Sequence, residues 1–506
     1  MAPGGFLGKI FGSLSKATSE DKKKTEQELP FAVMIFTLMA ASGISPYDSW
    51  KKMRKLSFLP AFKKEADEVV RQVEVLGKDP LTVMQQRAEL TQSKLYRNFL
   101  GGFVSSVRSG GRLVDYMKSQ LKSIFELRFI NLNRSIEKIA SLVEAYSVML
   151  IVVLCTYILF VVLGSSNVTS LLGGVASIAS SPVFSYLIAF IIMPILSIIF
   201  IVMAHNMQQS SFPDLSDLYK KAIIFIVPAF IIIGLFITLP SLTAAISFIG
   251  LPTIATLVLV GASLPTAWQY RKISSINYNA EESLPSFIRD ITESQKSGLS
   301  PEKSLVQATK RKGYGSFSKF LELMRSQIEW GIPVRKTFDN LKKEIRSWFV
   351  TVNFAMMVET IEIGGNSVQS LEILSEYSEK EREMQVNRRE LLKPYIFLAL
   401  MWSALIAVTT TIVSITTNLT SGMMTTVNNT NLGNVASTSQ GSQLTMFSVG
   451  IIVQCWISGF FIGKISEGNF GAGFKHATIL AATAYVSLIL SQILLSGLFG
   501  KLSPIS

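Results

Sequence analysis

Long apolar blocks alternate along this chain with two strongly charged blocks. The apolar blocks predict seven membrane-spanning helices, because each approaches the roughly 20 apolar residues that cross a bilayer and has no ionisable side chain near its centre. The predicted spans are residues 139–163, 183–204, 222–246, 248–268, 394–416, 446–463 and 477–499. Residues 139–268 are thus expected to form four spans, and residues 394–506 three.

The charged residues are concentrated in residues 1–138 and 269–393, which hold 74 of the 83 in the chain. Apolar residues recur at helical spacing within these blocks, as at Phe320, Leu323, Met324 and Ile328. The predicted fold class is an all-α polytopic membrane protein with two repeated cytoplasmic helical bundles, at 29–138 and 269–393, and about seven transmembrane helices. Residues 1–28 form a leader, for which an interfacial helix and a frayed terminus are alternative interpretations.

The net charge of +13 follows the rule that Lys and Arg accumulate on the cytoplasmic side of membrane spans. No aromatic and basic interleaving indicates a nucleic-acid partner. With both charged blocks inside, seven spans place the N-terminus in the cytoplasm and the C-terminus outside a multi-pass cell-membrane protein. The loops 164–182 and 417–445 are then exterior, and they carry three candidate glycosylation sites, Asn167, Asn418 and Asn428.

An internal repeat relates the two charged blocks. The stretch from Leu29-Pro30 to Ser42-Gly43-Ile44-Ser45-Pro46 matches, at identical spacing, the stretch from Leu284-Pro285 to Ser297-Gly298-Leu299-Ser300-Pro301. Two further pairs follow, which are Gly77-Lys78-Asp79-Pro80 with Gly331-Ile332-Pro333, and Ser109-Gly110-Gly111 with Ile363-Gly364-Gly365. These matched glycine-containing motifs, called signposts below, predict antiparallel helices joined by tight turns.

Gly43 and Gly298 are expected to end a helix in the left-handed conformation, and the Ser-Pro that follows to begin the next helix. The repeat also settles the nature of the apolar run at 31–41. Its counterpart at 286–296 is amphipathic, so the run is predicted to be a helix of the first bundle and not a membrane span.

Three glycine signposts in each of two copies, with each copy followed by a predicted span, resemble the type II secretion F-domain family. The resemblance is to its archaeal branch in particular, the membrane platform proteins of archaella and archaeal type IV pili. It is closer in the second copy, through LPSFIRDITESQKSGLSPEKSL at 284–305, WGIPV at 330–334 and EIGGNS at 362–367.

The resemblance implies a platform without enzymatic activity or cofactor, served by a separate hexameric secretion ATPase in the cytoplasm. It also implies that pilin or archaellin subunits are handed over from the bilayer, and that the chain forms a homodimer. Basic residues of the second copy are candidate contacts of the ATPase, and the alternative is an ordinary solvated helix face. These candidates are Lys310, Arg311, Lys312, Arg382, Arg388, Arg389 and Lys393.

The sequence offers no pattern typical of an enzyme or a metal site. The two histidines, His205 and His476, lie beside predicted spans and are expected to be interfacial polar residues. Gly459 and Gly463 fail the phosphate-loop pattern, and their spacing favours close helix packing in a membrane. The rival function is a secondary transporter with duplicated halves. The repeat lies in the charged blocks and the spans lack ionisable residues, and both features weigh against a transporter.

Overall fold

The computed structural model shows an all-α chain. It describes residues 4–56, 58–165, 187–207, 216–238, 250–342, 344–345, 347–363, 367–427 and 432–499. These ranges contain helices and turns and no β-strand. The fold class predicted from the apolar and charged pattern is therefore confirmed.

The described helices form two series of six. Apolar helices lie between the two series and after the second one. The first series is α1 (Gly4–Ala41), α2 (Pro46–Met53), α3 (Pro60–Glu74), α4 (Pro80–Leu90), α5 (Lys94–Arg108) and α6 (Leu113–Ser165). After a π-helical turn at Ile188–Ile192 come α7 (Met193–Met207) and α8 (Ser216–Thr238). The second series is α9 (Leu251–Lys296), α10 (Pro301–Thr309), α11 (Ser318–Glu329), α12 (Val334–Leu341), α13 (Trp348–Ile363) and α14 (Ser367–Val427). The last helices are α15 (Leu432–Glu467) and α16 (Phe470–Phe499).

The chain divides into two compact units, each built from two separate stretches. Unit 1 comprises Met1–Leu132 and Ser275–Gln385, and so contains the helical bundles of both copies. Unit 2 comprises Asn133–Ser274 and Val386–Ser506. Helices α6, α9 and α14 contribute residues to both units without a break.

One apolar core runs through both copies in unit 1. It includes Phe31, Trp50 and Phe99 of the first copy, and Phe287 and Phe354 of the second, all at most 2% exposed. The run at 31–41 lies largely inside this core, with Ala32, Val33 and Met39 at 0% exposure. The prediction that this run is a bundle helix is confirmed, and its high apolar content follows from burial on several sides.

Matching turns join the first two helices of each copy. Gly43 has φ +80° and Gly298 has φ +87°, a backbone region that residues with a Cβ rarely adopt. Pro46 and Pro301 then open α2 and α10, behind the capping hydroxyls of Ser45 and Ser300. Positive φ also occurs at the later signposts Gly77, Gly110 and Gly331, whereas Gly111 is not among the positive-φ residues. Pro333 is the residue before α12, and Gly364 and Gly365 lie outside the described residues.

A buried carboxylate connects α1 to the start of α3. The Glu28 side chain is 7% exposed. Its Oε2 accepts hydrogen bonds from the backbone N–H of Ala61 at 2.9 Å and of Phe62 at 3.2 Å. These are first-turn N–H groups, which have no partner inside their own helix. Burial raises the pKa of Glu28 to about 7, although the two backbone bonds oppose the rise.

Unit 2 is built from the apolar helices. Seven helical segments in the described residues are long and apolar enough to cross a membrane, and this agrees with the seven predicted spans. They are Leu113–Thr156, Ile188–Met207, Asp217–Phe236, Leu251–Lys296, Val368–Thr416, Thr445–Glu467 and Phe470–Leu495. The chain is therefore a multi-pass membrane protein.

Candidate functional site

The contact between the two copies in unit 1 is the first feature that the sequence did not predict. Phe31 of α1 packs edge-on against Trp348 of α13, with ring centroids 4.6 Å apart. The guanidinium of Arg128 lies 5.0 Å from the centroid of the Phe31 ring and forms a 2.9 Å ion pair with Glu381 of α14. Glu381 is 5% exposed, so Arg128 neutralises the negative charge of a carboxylate that is buried in the bundle.

Further contacts follow the same seam between the copies. The Ser42 and Ser370 hydroxyl oxygens lie 3.3 Å apart, and the Ser370 hydroxyl also donates to the Leu38 carbonyl at 3.3 Å. Phe125 of α6 packs on Tyr377 of α14, with ring centroids 4.8 Å apart. An aromatic pair of this kind contributes about 0.5–1.5 kcal/mol beyond its buried area. The two bundles therefore form an internal pair within one chain.

The basic turn after α10 contains three cations, of which one forms an ion pair with a carboxylate and two do not in the described residues. Arg311 forms an ion pair with Asp290 of α9. The other Asp290 oxygen accepts the Tyr314 hydroxyl at 2.6 Å, and burial together with that bond raises the pKa of Tyr314 well above its usual range. Lys310 and Lys312 are exposed and have no ion pair in the described part of the chain.

The basic residues of α14 are not equivalent to one another. Arg382 belongs to unit 1, where it pairs with Glu379 at 2.9 Å and with Glu282 at 3.8 Å. Arg388, Arg389 and Lys393 belong to unit 2. Lys393 pairs with Glu390 at 2.6 Å, one helical turn away. The predicted cations are therefore distributed over both units, and several already have carboxylate partners.

A second ion-pair site in the second copy was also missed from the sequence. Arg335, near the start of α12, contacts Glu359 at 2.6 Å and donates through Nε to both Glu362 oxygens at 3.0 Å. These bonds raise the pKa of the Arg335 guanidinium further above its usual range. The two glutamates lie three residues apart and so share one face of α13, but the sequence gives no indication of which cation faces them.

The helices of the α15–α16 hairpin approach each other closely. A Cβ built at Gly459 would lie 2.2 Å from the backbone of Ala477, and one at Gly463 would lie 2.3 Å from the backbone nitrogen of Gly473. Atoms do not approach so closely without displacement, so the two helices touch through glycine. This arrangement agrees with the small-residue packing expected from the spacing of Gly459 and Gly463.

A polar network lies inside the apolar helices of unit 2. The Tyr146 hydroxyl is 2.6 Å from the Ser458 hydroxyl and 3.1 Å from the Ser197 hydroxyl. The Gln454 amide donates to Ser197 at 2.6 Å and to Tyr146 at 3.3 Å. Each of these residues is at most 6% exposed. Polar side chains in an apolar surrounding are costly unless bonded, so the network joins α6, α7 and α15.

The turn between α15 and α16 brings together several polar and charged groups of unit 2. Glu467 accepts the Tyr270 hydroxyl at 2.9 Å and lies 3.6 Å from Lys475 and 3.8 Å from His476. His476 is 4% exposed, and its position at the membrane interface remains a prediction. His205 stacks on Phe470. In the described residues, no three potential metal-binding side chains form a cluster.

The candidate glycosylation sites give little structural information. Asn167 and Asn428 lie outside the described residues, and Asn418 is on α14 with a side chain that is not described. They remain predictions.

Comparison with known proteins identifies the repeated module. The family model for the type II secretion system (T2SS) protein F matches residues 32–162 and 287–415, together just over half of the chain. The uncharacterized protein MJ1286 of Methanocaldococcus jannaschii is 23% identical, over 92% of this chain and 80% of its own length. No solved structure matches. Each matched segment begins in a unit 1 helix, α1 or α9, and ends in a helix that contains a candidate span, α6 or α14. The chain belongs to the type II secretion system protein F family.

Proposed function

We propose that this protein is the membrane platform of an archaellum or an archaeal type IV pilus-like filament. In this proposal it docks a cytoplasmic hexameric secretion ATPase and transfers the motion of that ATPase to pilin or archaellin subunits in the bilayer. Family membership supports the general role in secretion or pilus assembly. The relative in Methanocaldococcus jannaschii, an archaeon, favours the archaeal branch.

The observation that carries the proposal is the sharing of three helices between the units. Helices α6, α9 and α14 begin or end in the bundle core of unit 1 and belong to candidate spans in unit 2. An unbroken α-helix rises 1.5 Å per residue with its backbone bonded internally, so it can carry a displacement along its axis. The shared core of the two copies would make unit 1 respond as one body.

The charge distribution supports an orientation for this platform. Unit 1 contains most of the two charged blocks, and such blocks remain on the cytoplasmic side of a membrane. We place both bundles and the N-terminus in the cytoplasm and the C-terminus outside. The domain limits of this proposal remain residues 1–28, 29–138, 139–268, 269–393 and 394–506.

The contact with the ATPase is assigned to the available cations of unit 1. Lys310 and Lys312 are exposed without ion pairs in the described residues, whereas Arg311 and Arg382 are already engaged with carboxylates. An acidic partner could therefore bind the two lysines without breaking an existing pair. Trp330, 84% exposed after α11, is a second residue of unit 1 available to a partner.

Co-purification tests this assignment. The full-length chain would be captured in detergent with the secretion ATPase encoded in the same genome. Reversal of both lysines, Lys310→Glu with Lys312→Glu, should weaken capture at least about tenfold, since charge-assisted contacts contribute about this much. The control is Lys63→Glu with Lys64→Glu, an exposed pair of the first copy. Equal capture of the two double variants and the unmodified chain would refute the assignment.

The wider proposal has its own test. A strain lacking this protein should lose one class of surface filament, and the unmodified chain should restore it. We also expect the working assembly to be a homodimer, measurable by light scattering of the purified protein. Normal filaments in the deletion strain, or solute flux through vesicles containing the purified chain, would favour the transporter instead.

A further inference from the structure

Arg388 is a charged side chain of unit 2 that has no counter-ion in the described part of the chain. It lies on α14, a few residues before the uncharged stretch that begins at Pro394. Its Nη2 is buried and has no hydrogen-bond partner. The neighbouring guanidinium of Arg389 repels it.

Lys464 is a second cation in the same unit for which the described residues supply no carboxylate partner. It is 1% exposed at the end of α15. Its Nζ donates to the Gly468 carbonyl at 2.7 Å and lies 5.0 Å from the centroid of the Phe470 ring. An ammonium carries three donors, so a carbonyl and a ring face do not neutralise it. Arg388 is close enough to Lys464 for the two charges to repel each other.

The carboxylate that follows Lys464 in sequence is already committed to other groups. Glu467 accepts from Tyr270 and lies near Lys475 and His476. No ion pair joins Glu467 to Lys464 or to Arg388 within the described ranges. Among the described residues, the buried Lys464 and the partly buried Arg388 therefore form a site of net positive charge without a carboxylate partner. An anion at this site would stabilise both groups, because unpaired charges away from water are unfavourable.

The position of the cations indicates the chemistry of that anion. Both stand where an apolar span ends, Arg388 before the apolar part of Val368–Thr416 and Lys464 near the end of Thr445–Glu467. Basic pockets between spans at the cytoplasmic side accept lipid headgroups, and a guanidinium matches the planar, two-oxygen face of a phosphate. We propose that Arg388 and Lys464 together bind the phosphate group of an anionic membrane lipid. This inference does not depend on the filament function.

Lipid binding by the full-length protein in detergent tests the proposal. The probes are phosphatidylglycerol, zwitterionic phosphatidylcholine and inorganic phosphate, and the readouts are bound lipid by native mass spectrometry and the melting temperature. The unmodified chain should retain phosphatidylglycerol preferentially and melt at a higher temperature when it is added. Arg388→Gln and Lys464→Gln should each weaken that binding at least about tenfold. The matched control is Lys393→Gln, an exposed cation of the same helix, which should bind as the unmodified chain does.

A second readout separates lost binding from misfolding. In lipid-free detergent Arg388→Gln should melt at or above the temperature of the unmodified chain, because it removes a partly buried charge that has no counter-ion among the described residues. Addition of phosphatidylglycerol should reverse that order. The proposal fails if Arg388→Gln and Lys393→Gln respond equally to phosphatidylglycerol, or if phosphatidylcholine binds as tightly. It also fails if inorganic phosphate gives the whole response and added lipid gives no more, which would assign the site to free phosphate.

Discussion

Replacement of Glu28 by glutamine should change how the stability of unit 1 depends on pH. The carboxylate is buried, and its pKa is raised from 4.5 to about 7. Between these values the folded chain holds a proton that the unfolded chain has released, so the unfolding free energy falls as pH rises. Glutamine keeps an oxygen that can accept the Ala61 and Phe62 N–H groups but has no charge to bury. Glu28→Gln should therefore remove this part of the pH dependence.

The expected magnitude follows from the two pKa values. At about 1.4 kcal/mol for each pH unit, the difference corresponds to about 3 kcal/mol. Below pH 4.5 the variant and the unmodified chain should have similar stability, and above pH 7 the variant should be more stable by about that amount. If unit 1 unfolds cooperatively, each kcal/mol moves the melting temperature by roughly 2–4 °C for a body of this size. The two melting curves should separate by roughly 6–12 °C at about pH 8.

Thermal melting in detergent between about pH 5 and pH 8 is the assay. The control is Glu74→Gln, an exposed carboxylate whose pKa is lowered by its bond to Lys51. Its contribution to stability is present above its ordinary pKa and is lost as the pH falls, so its small effect has the opposite sign. Parallel melting profiles for Glu28→Gln and the unmodified chain across this range would show that burial of the Glu28 carboxylate costs little free energy.

Three further substitutions test the packing. Gly463→Ala should disrupt the α15–α16 hairpin and lower the yield of folded protein in detergent, whereas Gly261→Ala, with no atom within 4 Å of the added Cβ, should not. Trp348→Ala should destabilise unit 1 by about 1–3 kcal/mol, because it removes a partly buried ring that packs on Phe31 of the other copy, while Trp330→Ala should leave the melting temperature nearly unchanged. Tyr146→Phe should cost about 1 kcal/mol, because it removes the hydrogen bonds of the Tyr146 hydroxyl while Ser197 and Ser458 keep their bonds to Gln454. An unchanged melting temperature would show that the network is not stabilising.

The spans and the repeat were predictable because each leaves a local signal. An apolar run of about 20 residues can be recognised without knowledge of its neighbours. The sequences Gly-Ile-Ser-Pro and Gly-Leu-Ser-Pro predict a tight turn whose glycine has a positive φ. Gly43 and Gly298 have that positive φ. The apolar run at 31–41 was assigned correctly only through comparison with its more polar counterpart.

The pairing of the two copies was not predictable, because an apolar face does not specify which other face it meets. Nothing local to Phe31 indicates Trp348, which is more than 300 residues away. Ion pairing is similarly non-local. The sequence around Arg311 does not predict that this side chain pairs with Asp290 of another helix. The sequence did not predict the hydrogen bonds of Gln454, because a single polar residue within an apolar run has no periodicity that would indicate its partners.

A disulfide test addresses most directly the claim that the two F-family copies form an internal pair. Ser42 and Ser370 face each other with their hydroxyl oxygens 3.3 Å apart, so cysteine side chains at these positions point toward each other. A disulfide forms between cysteines whose Cβ atoms lie about 3.5–4.5 Å apart. In a chain whose own Cys155 and Cys455 are replaced, Ser42→Cys with Ser370→Cys should form a bond within one polypeptide on mild oxidation of native membranes. The product should run as a monomer on a non-reducing gel and yield the joined peptide by mass spectrometry. Single-cysteine variants should yield no such peptide, and a double variant that stays reduced, or that links only into dimers, would contradict the internal pair.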